Sequence, residues 1–363
     1  MTLNNILKRE NNNFELLRLI AAAAVIIGHA GHITGDANSH DLVLQLLHFD
    51  YSGSLAVKFF FLLSGLVVTN SWLTNPELGR FIAARVARVF PALIVVLLLS
   101  AYVMGPLMTS QPVWAYMANH ETFNYVARNA LLNTNFILPG VFESAPDHGV
   151  NGSIWTIPME FFCYLVLAIV GALGLTRNKV LFSLVIVTLA AAALIDPSAI
   201  SKLHLPQESA PMFFYFALGA LLATWKDIIV LNHNTVIGLA IAAYVFRDTA
   251  PMPYLTCTAI FACAIWLATT APILRLRLPG DFSYGIYLFG WPIQQLVHAA
   301  FPSMSAVGNW TNALVISTCF GALSWYLVEK PSIRLGKKVG NLLPLPTIHK
   351  PALDNNVGSQ PQV

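Results

Sequence analysis

The chain has 363 residues, 56% of them hydrophobic and only 10% charged, with 20 Lys and Arg set against 17 Asp and Glu. A soluble domain carries roughly 25% charged residues, so this composition excludes a soluble enzyme, a disordered chain and a nucleic-acid binder. The net charge of +3 matters less than where the charges fall.

A bilayer crossing takes about 20 mostly apolar residues, and ten segments qualify: 16–34, 53–72, 89–108, 155–175, 179–195, 211–225, 229–246, 251–271, 283–301 and 307–329. The expected fold is therefore all-α, a polytopic membrane protein with about ten transmembrane helices. Lys8 and Arg9 before the first run imitate a secretory signal. Arg18 and His29 inside it, and nine further spans, mark a retained helix instead. With the N-terminus inside, 16 Lys and Arg fall on the cytoplasmic side and only Arg128, Lys202 and Arg247 on the other, with Lys58 left within the second span. That bias is the positive-inside pattern, and it places both termini in the cytoplasm. Residues 1–330 form the expected membrane domain and 331–363 a flexible cytoplasmic tail.

Ionisable groups inside a bilayer are costly and hence functional candidates. In the first span Glu15, Arg18 and His29 share one helical stripe, with His29 about 16 Å beyond Arg18 along the axis. Glu15 is expected to pair with Arg18 as an i, i+3 neighbour. A cation at one end and an imidazole deep on the same face suit a long anionic substrate; the bland alternative is a topology anchor and a satisfied core histidine. His32 lies one turn beyond His29, but two His without a third ligand do not make a metal site, and none is expected. Cys163, Cys257, Cys263 and Cys319 sit in apolar stretches without metal-type spacing and read as buried free thiols.

In the second span, Lys58 is expected to snorkel to the outer boundary, and the Ser64–Gly65 step to let a helix or ligand approach the backbone closely. Arg80, Arg85 and Arg88 are expected on an interfacial helix. They serve there either as an anchor for anionic lipid head groups or as a forked clamp for phosphate. The outer loop 109–152, rich in Asn and aromatic residues, reads as a solvated connector or as an acceptor platform. At the head of the fourth span, Trp155 is either an interfacial belt residue or a platform for a sugar ring. Glu160, one turn further in, either pairs with another helix or contacts a polar substrate.

These residues, in this order, resemble the membrane acyltransferase-3 family from Phe14 to Pro331. Its opening motif corresponds to Phe14, Glu15, Arg18 and His29, with Glu15 where Asp is common. Its aromatic Ser-Gly motif corresponds to Phe59 to Gly65, and its Arg-x-x-Arg motif to Arg85 and Arg88. Trp155, Glu160 and Tyr164 follow, then Ser283, Tyr284, Tyr287 and Leu288, then Tyr326, Glu329 and Pro331. Gly290 stands where many relatives carry a second His, which leaves His29 as the sole His expected to be catalytic.

The resemblance implies an acyl-CoA-dependent O-acyltransferase of the cell inner membrane. It implies acetyl-CoA as cosubstrate rather than a bound cofactor, and a polysaccharide or lipid-linked oligosaccharide as acceptor. Its partners would otherwise be membrane lipids, with no nucleic acid. As the chain ends soon after the last span, the expected type is one without an SGNH hydrolase-like domain, acting on exopolysaccharide by analogy. On this reading His29, with Glu15 and Arg18, is catalytic. Arg18, Ser64, Arg85 and Arg88 bind the acyl-CoA, while Trp155, Glu160, Tyr164 and Tyr287 bind the acceptor. The rival readings are a transporter or flippase for a lipid-linked glycan, transfer of another acyl group such as succinyl, and a non-sugar acceptor.

Overall fold

A computed structural model describes residues 1–202 and 205–343. Among them there is no strand, only two isolated bridges, Thr2 with Val230 and Thr109 with Val141. A helix stands over each of the ten expected segments. They are α1 (Phe14–Thr34), α2 (Ser52–Thr74), α3 (Leu78–Leu99), α4 (Ile157–Ala172), α5 (Lys179–Ile195), α6 (Ala210–Thr224), α7 (His233–Val245), α8 (Met252–Leu267), α9 (Ser283–Ala300) and α10 (Ala306–Ser324). Five stretches are long and apolar enough to cross a bilayer: Phe14–Thr34, Ser52–Thr74, Leu78–Met108, Gly152–Ala172 and Ala306–Leu342. With its outward-facing Leu, Ile, Val and Phe side chains, the chain is a membrane protein.

Local chemistry sets the helix ends. Asn13 caps α1, its Oδ1 accepting from the Leu16 amide at 3.2 Å, and Gly35 ends it in the left-handed region at φ 64°, where a residue without Cβ is favoured. The Asn13 side-chain amide also donates to the carbonyls of Ile273 and Leu276 at 2.8 and 2.9 Å, which ties the start of α1 to the segment before α9.

Small residues bring the helices together, as they do where lipid removes the hydrophobic drive between helices. A Cβ on Gly28 of α1 would lie 2.5 Å from the Gly53 amide nitrogen of α2. One on Gly65 of α2 would lie 2.1 Å from the Phe216 carbonyl oxygen, and one on Gly219 of α6 2.2 Å from that of Leu62. The Ser64–Gly65 step thus admits α6, and α2 becomes the buried axis of the bundle between α1 and α6. By contrast α7 buries none of its residues and packs beside α8 at the periphery.

Three elements depart from expectation. The basic segment 80–88 is no separate interfacial helix: α3 starts at Leu78, passes Pro91, and runs on through a wider π-turn at Ser100–Met104 to Met108. Arg85 and Arg88 therefore ride on this long helix and turn inward, where aromatic rings and carboxylates meet them, while Arg80 stays with Glu77 of its own chain segment at 3.4 Å. The loop 109–152 carries helices Val113–Ala118 and His120–Ala130 and is pinned down by buried Tyr116 and Tyr125. The Tyr116 hydroxyl donates to the Ala101 carbonyl at 2.7 Å. Finally, part of the expected flexible tail is helix α11 (Lys330–Leu342), started by Pro331 in its first turn after a π-turn at Trp325–Glu329. Gly336 and Gly340 let it lie flat on α3; residues 344–363 of that tail lie outside the described residues. All four cysteines are free; Cys163 and Cys257 are buried as expected, but Cys263 is half-buried and Cys319 exposed on α10.

Candidate functional site

A cavity of about 320 Å³ opens between α1, α2, α3, α4, α9 and α11. Along α2 its lining runs from Val68 to Val57, about 16 Å at 1.5 Å per residue. At the Val68 end stand Arg18, Arg85, Asp281 and Lys337; at the Val57 end stand Thr156 and Tyr287.

The charges within it are sorted. Arg88 is held by two carboxylates, Nη1 donating to Glu329 Oε2 at 2.9 Å and Nη2 to Asp281 Oδ2 at 2.8 Å. Arg18 reaches the same Asp281 oxygen at 3.7 Å. Burial pushes the Asp281 carboxyl up, but Arg88 and Arg18 beside it and the Ser283 hydroxyl win, holding it below the ordinary carboxylate value. Glu329, only 1% exposed, also accepts from the Ser324 hydroxyl at 2.9 Å. Arg85 is different. Its guanidinium lies 5.6 Å from the Tyr164 ring centroid and 5.9 Å from that of Phe81, and among the described residues its buried Nε has no hydrogen-bond partner. Of the pair expected to clamp phosphate, Arg88 is thus committed to carboxylates and Arg85 faces the cavity without one.

Glu160 and Tyr164, expected at a separate acceptor site, line this same cavity together with Ser64. Glu160 Oε1 accepts from the Tyr164 hydroxyl and, at 3.3 Å, from that of Ser64. Tyr287 closes the far end: its hydroxyl donates to the Ser153 carbonyl at 2.5 Å and accepts from the Thr156 hydroxyl at 2.6 Å. Trp155 is half-buried and does not line the cavity.

His29 lies beyond that closed end. Gly53, one turn past Val57 on α2, sits under its ring, and Trp291, one turn past Tyr287 on α9, flanks it with centroids 4.8 Å apart. The Tyr51 ring meets it edge-on at 6.1 Å. His29 Nδ1 is 2.7 Å from the Val25 carbonyl oxygen. A carbonyl can only accept, so Nδ1 carries the proton and Nε2 keeps a free lone pair. That is the tautomer a general base needs.

One turn further, His32 Nε2 lies 2.6 Å from Asp147 Oδ2. The loop bearing Asp147 is stapled to α9, with Trp291 Nε1 donating to the Gly149 carbonyl at 2.9 Å and Gln295 Nε2 donating to the Asp147 and Gly149 carbonyls at 2.9 and 2.8 Å. Part of the loop 109–152 therefore builds the wall beside His29.

The Glu15–Arg18 pair expected from their spacing does not form. Glu15 turns outward to Arg9 at 2.8 Å, and Arg18 turns inward to Asp281, because a second carboxylate is closer to the cavity than the local one. Lys58 does not snorkel either: it meets the buried Asp50 at 2.6 Å. Gly290, at the position of the missing second His, packs on α1, where a Cβ would come within 2.8 Å of Ile26 Cγ1. Sequence reasoning missed Asp281, Asp50 and Lys337; the signal for Asp281 was its place two residues before the Ser283–Tyr284 motif. Among the described residues no cluster of three or more His, Cys, Asp or Glu could hold a metal ion.

Comparison with known proteins gives a consistent picture. The acyltransferase-3 family profile, described as an acyltransferase domain, matches residues 11–329. A protein of Shigella phage Sf6 named O-acetyl transferase is 28% identical over 350 residues, covering 88% of this chain and 96% of the relative. Nodulation protein 10 of Rhizobium leguminosarum bv. viciae is 27% identical over 374 residues, covering 89% and 94%. No solved structure matches the chain.

Proposed function

The chain belongs to the membrane acyltransferase-3 family, and on that premise we propose that it moves an acyl group, acetyl in the first instance, from cytoplasmic acyl-CoA to a sugar hydroxyl of an exported polysaccharide or its lipid-linked precursor. In this reading all ten helices cross the inner membrane and both termini face the cytoplasm. The observation that carries it is the alignment of two chemistries along one axis: a cation-lined cavity at the Arg18 end, and an imidazole with a free Nε2 one turn beyond its closed end. Phosphates bind at the first and the thioester is delivered toward the second. The phage relative named O-acetyl transferase supports acetyl as the group moved.

The reaction requires little of the protein beyond placement and a base. His29 Nε2 takes the proton from the acceptor hydroxyl as its oxygen attacks the thioester carbonyl carbon. The new C–O bond forms, the C–S bond breaks, and the proton ends on the CoA sulfur, so no other reactant is consumed. Tyr287, met edge-on by Phe60 at 6.0 Å, stands between cavity and imidazole and must yield for the thioester to pass. The Trp291–Asp147 wall orients the acceptor from the other side.

Purified protein in vesicles, given acetyl-CoA and an acceptor-bearing membrane extract, should release free CoA thiol and acetylate the glycan. A transporter or flippase would release none. Mass spectrometry of the surface glycan with and without the protein then names the acyl group and its carrier.

A further inference from the structure

The family match ends at residue 329, but the wall of the cavity does not. Ile333 and Lys337, one turn apart on α11, complete the lining beside Ala84 and Arg85 of α3. α11 is held there by its glycines. A Cβ on Gly336 would lie 2.4 Å from that of Ala87 and 3.0 Å from the Ala83 carbonyl oxygen; one on Gly340 would lie 2.9 Å from Arg80 Cα. Lys337 thus follows the point of closest approach, over the turn of α3 that carries Arg85.

The four cations lining the cavity divide into two pairs. Arg18 and Arg88 are engaged by Asp281, and Arg88 also by Glu329. Among the described residues, neither Arg85 nor Lys337 has a carboxylate within salt-bridge range. Arg85 in addition has a buried Nε with no partner, an arrangement that costs free energy until an acceptor arrives. Lys337 is exposed at the mouth. A half-buried fork and an exposed ammonium on one wall suit an anion with several oxygens entering from water.

We propose that Lys337 and Arg85 form a two-cation cradle for the phosphates of the acyl-CoA donor, so that α11, outside the matched domain, is part of the donor site. The inference rests on the acyl-CoA reading above and adds to it a residue and an element. Arg85 supplies directed hydrogen bonds, Lys337 a point charge, and Arg88 positions the site from within its carboxylates.

The test compares two donors in vesicles of neutral phosphatidylcholine: acetyl-CoA, and S-acetyl-pantetheine, which lacks the phosphates. Lys337→Ala should raise KM for acetyl-CoA about tenfold, leave kcat unchanged, and leave KM for S-acetyl-pantetheine unchanged; Lys337→Arg should restore most of the loss. Equal KM for acetyl-CoA in Lys337→Ala and the natural protein overturns the cradle while the acyl-CoA reading stands. So does a parallel rise for both donors, which marks a structural role. If the natural protein turns over neither thioester, the acyl-CoA reading fails and the cradle with it.

Discussion

Arg88 Nη1 donates to Glu329 Oε2 at 2.9 Å, joining the middle of α3 to the π-turn between α10 and α11 across 241 positions of sequence. Glu329 is buried and Arg88 half-buried. Removing one partner of such a pair leaves a charge uncompensated and typically costs about 3–5 kcal/mol. Glu329→Ala should therefore lower the melting temperature in detergent markedly and reduce the monodisperse yield. Glu329→Gln, which still accepts a hydrogen bond, should lie between; an unchanged melting temperature in both would mean the pair does not hold the helices.

The contact of α2 with α6 depends on two glycines facing backbone. Gly219→Leu should prevent the approach to Leu62 and abolish folded protein, as judged by size-exclusion chromatography in detergent. Gly238 is the control, since a Cβ there meets nothing within 4 Å. Gly238→Ala should raise stability by roughly 0.5–1 kcal/mol, because glycine inside a helix costs about that relative to alanine.

At the closed end of the cavity the Tyr287 hydroxyl links Ser153 and Thr156. Tyr287→Phe leaves a buried carbonyl and a buried hydroxyl short of partners, at about 1–3 kcal/mol. Thr156→Val should cost less, and the double variant should cost less than the two singles added, since they share one network. A thermal-unfolding cycle measures this; strict additivity would contradict the link.

Much of this architecture is legible in the sequence. The ten helical segments follow from apolar runs, and the stripe of Arg18 and His29 from their spacing of eleven. The close approach at Gly65 follows from the small residue itself. Partner choice was not legible, because spacing along one helix is blind to other helices. Glu15 and Arg18 suit each other locally, yet Asp281, distant in sequence, takes Arg18 and leaves Glu15 to Arg9. Lys58 reads as a snorkelling cation until Asp50 is brought under it. Trp155 and Glu160 belong to one motif, yet Glu160 lines the cavity and Trp155, five residues earlier, does not. The polar composition of 331–363 hid α11, whose stability comes from packing on α3 rather than from local propensity.

The central claim is that His29 Nε2, freed by the Nδ1 bond to Val25, is the base for acyl transfer. The measurement that tests it most directly is the rate of CoA thiol release from acetyl-CoA, in vesicles containing acceptor, for His29→Ala alongside the natural protein. Positioned general bases contribute roughly 10²- to 10⁴-fold, so the rate should fall at least 100-fold while the variant keeps its melting temperature and its KM for acetyl-CoA. A folded His29→Ala protein that releases thiol and acetylates acceptor at the natural rate would contradict the account.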